Sequence, residues 1–481
     1  MRAGLDFLSD LSDADVEWLV ENGQETQVIA NTAILEEGRA VDALVFVLQG
    51  LVDVRLKAIQ DRSVATLGPG ELLGEMAFLE DSPASATITA VENSLLLKVG
   101  FDVLRAEAEK RPEFAARLYR AFAVTAARRL RERERHYGER LGVDLHQEGL
   151  SEAASHLGQV LEGFKKLLQE ADQAALKAGG EIPEGFKEQI RGGFRIFIEA
   201  LHTTLGDESP LDQAHKDHLG SMVQREVLPY LLLTRTAERL YAKPRGYAGD
   251  FLTIDWMYDD QPGGTGRLGP FLDRCFMDEK AAEAVRNRRG LLCQAIRRHL
   301  DAHPDRTVHV TTMACGPARE VFDAFEQLDD KSRMQVNLLD IDSEAIAQVK
   351  GDVTKRGLDD QVQLFLANLV YLALGRTSID VKDQDLVYSI GLIDYFNDDL
   401  VGKLMNYAHS ILRPGGELIL GNFHPKNPDK AFMDHVVDWR LIHRSEDDMN
   451  RLFASSAFGK PCTRIELEKA GVNLFAACTK D

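Results

Sequence analysis

Short apolar runs broken by glycine dominate the first hundred residues. The stretches "ALVFVLQG" (43–50), "LVDVRL" (51–56) and "SATITA" (85–90) are punctuated by Gly38, Gly50, Gly68, Gly70 and Gly74. Apolar runs at that spacing predict strands joined by tight turns. After Pro112 the period changes. Phe114, Leu118 and Phe122 recur every four residues, which predicts a helix running on through "ARRLRERERHYGERLG" (127–142). From about 145 to 285 the pattern stays helical, with "GFKKLLQEADQAALKAG" (163–179) and "FKEQIRGGFRIFIEALHTTL" (186–205) amphipathic. The glycine-, proline- and aromatic-rich stretch "YAKPRGYAGDFLTIDWMYDDQPGGTG" (241–266) interrupts it and reads as an ordered loop over a site or as a plain linker. From about 286 strands alternate with helices: strands are expected near 307–312, 334–340, 362–367, 384–389 and 417–422. A closing pair, "TRIELEK" and "NLFAACTK", is split only by a few residues around Gly471. Parallel strands need crossovers, whereas that last pair can form a hairpin. In "HRSEDDMNRLF" (443–453), Ser445 is the expected N-cap, with Asp448 three residues on.

The pattern divides the 481 residues into 1–142, 143–285 and 286–481: a β domain with a long helix, a helical region and an α/β domain. Composition adds exclusions. With 57 basic against 77 acidic residues the formal net charge is -20, which works against nucleic acid as a partner. The five cysteines are odd in number and lack CxxC spacing, arguing against a disulfide framework or a metal site and for a reducing cytoplasm. Acids interrupt the apolar residues of the N-terminus, so neither a signal peptide nor stable membrane insertion is expected; no later run reaches about 18 apolar residues.

The candidate chemistry starts at "HVTTMACGPAREVFDAFE" (309–326), where a β-branched run enters a small-residue turn and then a helix. Main-chain N–H groups at such a turn can hold a polar ligand if the side chains are small, as at Ala314, Gly316 and Ala318. The next strand ends in "NLLDID", placing Asp340 24 residues beyond Gly316, about where an acid meets a ribose in doubly wound folds. With "ANLVYLA", "DLVYSIGLIDYF" and "LRPGGELILGNFHP" following in order, this half resembles the class I S-adenosylmethionine (SAM) methyltransferases. The resemblance implies a Rossmann-like seven-stranded sheet with a reversed last strand. It also implies contacts to SAM from Ala314 and Gly316 (amino-acid part), Asp340 (ribose) and Asn368 (adenine edge), with Ser389 and Gly391 lining the path to the sulfonium. Two departures stand out: Thr312 replaces an acid that often supports the loop, and Ala314 replaces the first glycine.

The stretch "KPRGYAGDFLTIDWMY" together with "YSIGLIDYF" resembles bacterial proteins that make 3-hydroxy fatty-acid methyl esters, a class of cell-density signal. That resemblance implies a fatty-acid-like carboxylate acceptor, which is ionised at neutral pH and needs no general base, unlike an alcohol or amine. Candidates to act on or hold the acceptor are Tyr247, Tyr395 and His424, with Arg245, Asn422, Arg440 and His443; each also has an ordinary structural reading. Asp250 either orders the loop or touches the cofactor. Methylation of another small molecule with a histidine base, and a regulator that only binds SAM, stand as alternatives.

Residues 1 to about 140 resemble the cyclic nucleotide-binding domains through "AILEEGRAVDALVFVLQGLVDV" and "LGPGELLGEMAFLEDSPASATITA". Gly74 and Glu75 match the family's glycine and ribose-binding glutamate, but Ala84 stands at the phosphate-binding arginine. Losing that charge-assisted contact costs roughly 2–5 kcal/mol, so weak or no cAMP and cGMP binding is expected. A dimerising module, a sensor for another ligand (with Ser85 and Thr87 as donors) and a residual nucleotide switch remain open. The stripe Phe114, Leu118, Phe122 suits a homodimer helix, or equally a cover for the β-roll.

Overall fold

The protein, seen in a computed structural model, is described over residues 11–56, 62–80, 82–122 and 150–481. The expected helix over 127–142 and the segment before residue 11 lie outside those residues. The chain forms two compact units, Met1–Val143 with Lys243–Tyr247, and Asp144–Ala242 with Ala248–Asp481.

In the first unit, β1 (Gln24–Val28), β2 (Ala33–Leu35), β3 (Ala43–Gln49), β4 (Val52–Leu56), β5 (Arg62–Leu67), β6 (Leu72–Leu73), β7 (Thr87–Ala90) and β8 (Ser94–Gly100) build two four-stranded sheets. Their orders are β1-β8-β3-β6 and β2-β7-β4-β5. Val45, Val47, Val52, Ile88 and Leu96 form the core between them. The helical run 112–122 buries Phe114, Leu118 and Phe122 completely. Trp18 meets Phe114 edge-on at 5.2 Å, and Phe78 lies 5.4 Å from Phe122. The stripe open to a second copy or to the β-roll is thus covered within its own unit. Asp15 anchors the same helix, accepting from Arg111 at 2.7 Å and Arg117 at 2.5 Å. Burial alone would raise its pKa, but the bonds from Arg117 and Ser12 hold it at about 2.

The second unit is built on β9 (Val308–Met313), β10 (Met334–Asp340), β11 (Val362–Leu366), β12 (Gln384–Ile390), β13 (Leu412–Phe423), β14 (Arg464–Leu467) and β15 (Asn473–Thr479). They form a seven-stranded sheet in the order β11-β10-β9-β12-β13-β15-β14. Strands β9 to β13 pair in parallel, and β15 pairs antiparallel with both β13 and β14, turning at Gly471 with φ +74°. Near-continuous burial of β9 and β12 fits a parallel sheet covered on both faces. Strand β13 begins five residues earlier than its apolar run suggests, because Arg413–Gly416 enter the ladder as an irregularity with Gly415 at φ +79°. The Ser445–Asp448 capping box opens helix Glu446–Ser455 as expected.

The helices between Leu150 and Met277 do not close a core of their own. Phe164, Phe194, Phe197 and Phe276 pack with Phe423, Phe432 and Trp439, which follow or end β13. Phe432 is central, 5.9 Å from Phe194 and 6.0 Å from Phe276. This shared core fixes the helices over the C-terminal ends of the strands. Among the described residues no helix is long and apolar enough to cross a membrane.

Candidate active site

Strand order reverses between β9 and β12, and the crevice at such a switch point is where open α/β sheets bind ligands. The turn leaving β9 has positive φ at Ala314 (62°), Gly316 (50°) and Ala318 (50°), alternating with ordinary residues. That alternation points successive N–H groups toward one side, a concavity suited to negative or polar groups. Left-handed backbone costs an alanine about 1 kcal/mol, so the surroundings must hold it. They do: the Cys315 amide donates to Leu339 O (2.9 Å), and that of Ala318 to Cys315 O (3.0 Å). The Gly316 amide donates to Asp340 Oδ2 (2.8 Å). Small residues are needed here for conformation as well as for room. A β-carbon on Gly316 would find only Phe251 Cβ, at 3.9 Å.

Asp340 spans the turn, since its Oδ1 also accepts from the Asp342 amide at 2.9 Å. Burial raises its pKa to about 6 against the opposing pull of the Asp342, Gly316 and Ile341 amides. A carboxylate oxygen is an acceptor only, the chemistry a ribose hydroxyl donor requires. Asn368 caps helix Leu369–Ala373, its Oδ1 accepting from the Val370 and Tyr371 amides (3.0 and 3.2 Å). Ser389 is fully buried and donates to Met313 O (2.8 Å), tying β12 to β9 at the crevice floor. Gly391 follows β12 with φ +75°.

Over the turn lies helix Phe251–Asp259, capped by Asp250, whose Oδ1 accepts from the Thr253 amide at 2.9 Å. Arg239 holds the same carboxylate at 2.7 Å, so Asp250 orders the loop. Arg319, the first residue of the helix after the turn, donates to Asp255 (2.6 Å) and Asp259 (3.1 Å), and Gln348 donates to Asp255 Oδ2 (3.1 Å). The 241–266 stretch therefore supplies a roof helix, clamped to the cofactor-type turn and to the helix after β10.

Several acceptor candidates are already engaged elsewhere. Tyr395 Oη donates to Ala248 O (2.7 Å) and accepts from Trp439 Nε1 (2.9 Å), while burial raises its pKa. It fastens the loop ahead of the roof. His424, 3% exposed, accepts the Lys426 amide at Nδ1 (3.2 Å) and meets Glu446 through Nε2 (3.0 Å). His443 donates from Nδ1 to Leu441 O (3.1 Å), and Asn427 Nδ2 reaches its Nε2 (3.2 Å). Burial lowers its pKa to about 4. Asn422 donates to Phe423 O and Ile442 O, and accepts from buried Arg444 at 3.0 Å. Arg440 pairs with Asp438 (3.3 Å) and the carbonyl of Asp434 (3.1 Å). Arg245 is buried in the first unit against Glu92 (3.1 Å), and Tyr247 falls in that unit too. The structure thus gathers Ala314, Gly316, Asp340, Ser389 and Gly391 around one crevice, and assigns Arg245 and Tyr247 to the first unit.

Sequence reasoning did not single out Glu320, Tyr388, Tyr258 or Arg288. Glu320 is buried one residue into the helix after the turn and accepts from Tyr388 Oη at 2.8 Å; burial raises its pKa. Its place directly after the turn was the available signal. Arg288 lies in "RNRRG", where nothing local separates it from its neighbours.

These features define an α/β domain with a roofed switch-point crevice, joined to a β-roll. Residues 245–473 match the family described as "Putative methyltransferase", and residues 25–111 match the family described as "Cyclic nucleotide-binding domain". The match to the cyclic nucleotide-binding family thus lies ahead of the methyltransferase match on one chain. The Pycsar effector protein XpPycTIR of Xanthomonas perforans is 36% identical over 118 residues, 24% of this chain and 37% of that one. The uncharacterized protein YnbC of Escherichia coli K12 is 24% identical over 225 residues, 44% of this chain and 37% of that one. The cyclic AMP receptor protein of Thermus thermophilus is 42% identical over 73 residues, 15% of this chain and 32% of that one. The matches span 32% to 37% of these relatives' own length.

Proposed function

We propose that this protein is a SAM-dependent O-methyltransferase forming a methyl ester on the carboxylate of a fatty acid or 3-hydroxy fatty acid, with the N-terminal domain as a sensor-like module. The seven-stranded order supports reading the sheet as the Rossmann-like sheet of class I methyltransferases. The observation that carries the cofactor is the left-handed turn braced by Asp340 under the roof helix. The residues present fit SAM: the Gly316 face is open to close approach, and the Asp340 carboxylate is the acceptor type that ribose hydroxyls need. Bound there, SAM supplies an electrophilic methyl group.

The chain's own residues then align an acceptor and exclude water, which is most of what an in-line displacement asks of a protein. The roof helix, clamped through Arg319, covers the turn. A carboxylate acceptor is supported by how the histidines are used. His424 and His443 each have both ring nitrogens engaged, so neither stands ready to take a proton from an alcohol or amine.

Incubation with methyl-labelled SAM and a panel of 3-hydroxy fatty acids, followed by solvent extraction, tests the reading. Label is expected in a base-labile lipid. Label confined to protein or water-soluble products would overturn the acceptor, and absence of SAM binding would overturn the enzyme.

A further inference from the structure

Arg288 is a buried charge that the crevice residues described so far do not use. It lies on helix Lys280–Ala302 and is 6% exposed. Its Nε donates to Tyr258 Oη (3.1 Å), from the roof helix, and its guanidinium carbon stands 5.8 Å from that ring's centre. The far end reaches the switch point. A β-carbon placed on Gly391 would come within 3.1 Å of one terminal nitrogen and 3.8 Å of the other. The absence of a side chain at Gly391 leaves room for that guanidinium end.

Neighbouring arginines are paired, Arg289 with Asp323 at 2.6 Å and Arg286 with Asp260 at 3.5 Å. Among the described residues no carboxylate lies within ion-pair distance of Arg288. The buried acids in its surroundings act on it through space without pairing: Glu320 takes the Tyr388 hydroxyl, and Asp394 takes the Phe423 amide at Oδ1 (2.7 Å) while its Oδ2 has no hydrogen-bond partner. Arginine cannot shed its proton, and a buried guanidinium without a counter-charge is unfavourable. Its planar fork matches a carboxylate through two parallel hydrogen bonds.

We infer that Arg288 is the carboxylate-binding residue of the crevice, completing a two-pronged ion pair with a bound ligand. The inference rests on the methyltransferase reading, which offers two sources of that carboxylate: the amino-acid end of the cofactor, or the acceptor. Calorimetry with S-adenosylhomocysteine and with 5′-methylthioadenosine, the same nucleoside thioether without the amino acid, separates them. Both are applied to the wild type, Arg288→Met and Arg288→Lys, alongside KM for the acid acceptor.

If the cofactor supplies the carboxylate, Arg288→Met weakens S-adenosylhomocysteine on the order of 30- to 1000-fold and leaves methylthioadenosine within about twofold. If the acceptor supplies it, both thioethers bind as before and KM rises by a similar factor. Arg288→Lys falls between, keeping charge without the fork. In either case the unfolding midpoint of the methionine variant holds or rises, because a buried charge with no ion-paired carboxylate has been removed. A fall in midpoint with equal loss of every ligand marks a structural role and overturns the inference, as do wild-type values throughout. Failure of the wild type to bind either thioether overturns the methyltransferase reading itself, and this inference with it.

Discussion

Asp340 faces opposing pulls: burial favours its neutral form, while the Asp342, Gly316 and Ile341 amides favour the carboxylate, and the balance sits at about 6. Because the folded value lies above the unfolded one near 3.9, ionising this group costs stability increasingly as pH rises from about 4 to about 6. Cofactor binding runs the other way. Ribose hydroxyls would donate to the ionised form, so S-adenosylhomocysteine affinity should hold above pH 6 and fall about tenfold per unit below it. Titration calorimetry at pH 5, 6 and 7 reads that slope, and Asp340→Asn should abolish it. A flat profile in the wild type would remove Asp340 from the ribose contact.

The turn and its roof work as a pair of elements. The turn is strained at two alanines and is kept in place by hydrogen bonds from its amides to the end of β10 and within the turn itself. The roof is attached by the Arg319–Asp255 pair, whose side chains are 25% and 10% exposed. A partly buried pair of this kind is worth about 1 kcal/mol, which corresponds to about a fivefold change in an opening equilibrium. Arg319→Met is therefore expected to speed hydrogen exchange across 251–259 about fivefold while leaving the strands' protection unchanged. Exchange unaltered over that helix would mean that packing alone holds the roof.

For the whole molecule, the question is what the β-roll reads. Ala84 is buried, with its amide bonded to Arg39 O (2.9 Å) and its carbonyl to the Gly38 amide (2.8 Å), so the small side chain sits in a firmly held backbone. With no guanidinium at that position, cAMP should bind the full chain no more tightly than on the order of 100 μM, and Ala84→Arg should tighten it at least about tenfold. Calorimetry on both proteins checks this; low-micromolar affinity in the wild type would contradict it.

Local periodicity carried the strands, the helix after Pro112, the Ser445 cap and the small-residue turn, because those follow from spacing, turn chemistry and backbone sterics within a few residues. It could not carry the partners of buried polar groups. Tyr395 reaches Ala248 across 147 positions, Arg245 reaches Glu92 across 153, and His424 is completed by Glu446 across 22. Such pairings are decided by which strand ends the sheet order brings together, and hydrophobic pattern is silent on that. The same limit hides Arg288, whose distinction from Arg286 and Arg289 is that the tertiary structure buries it with no carboxylate at ion-pair distance.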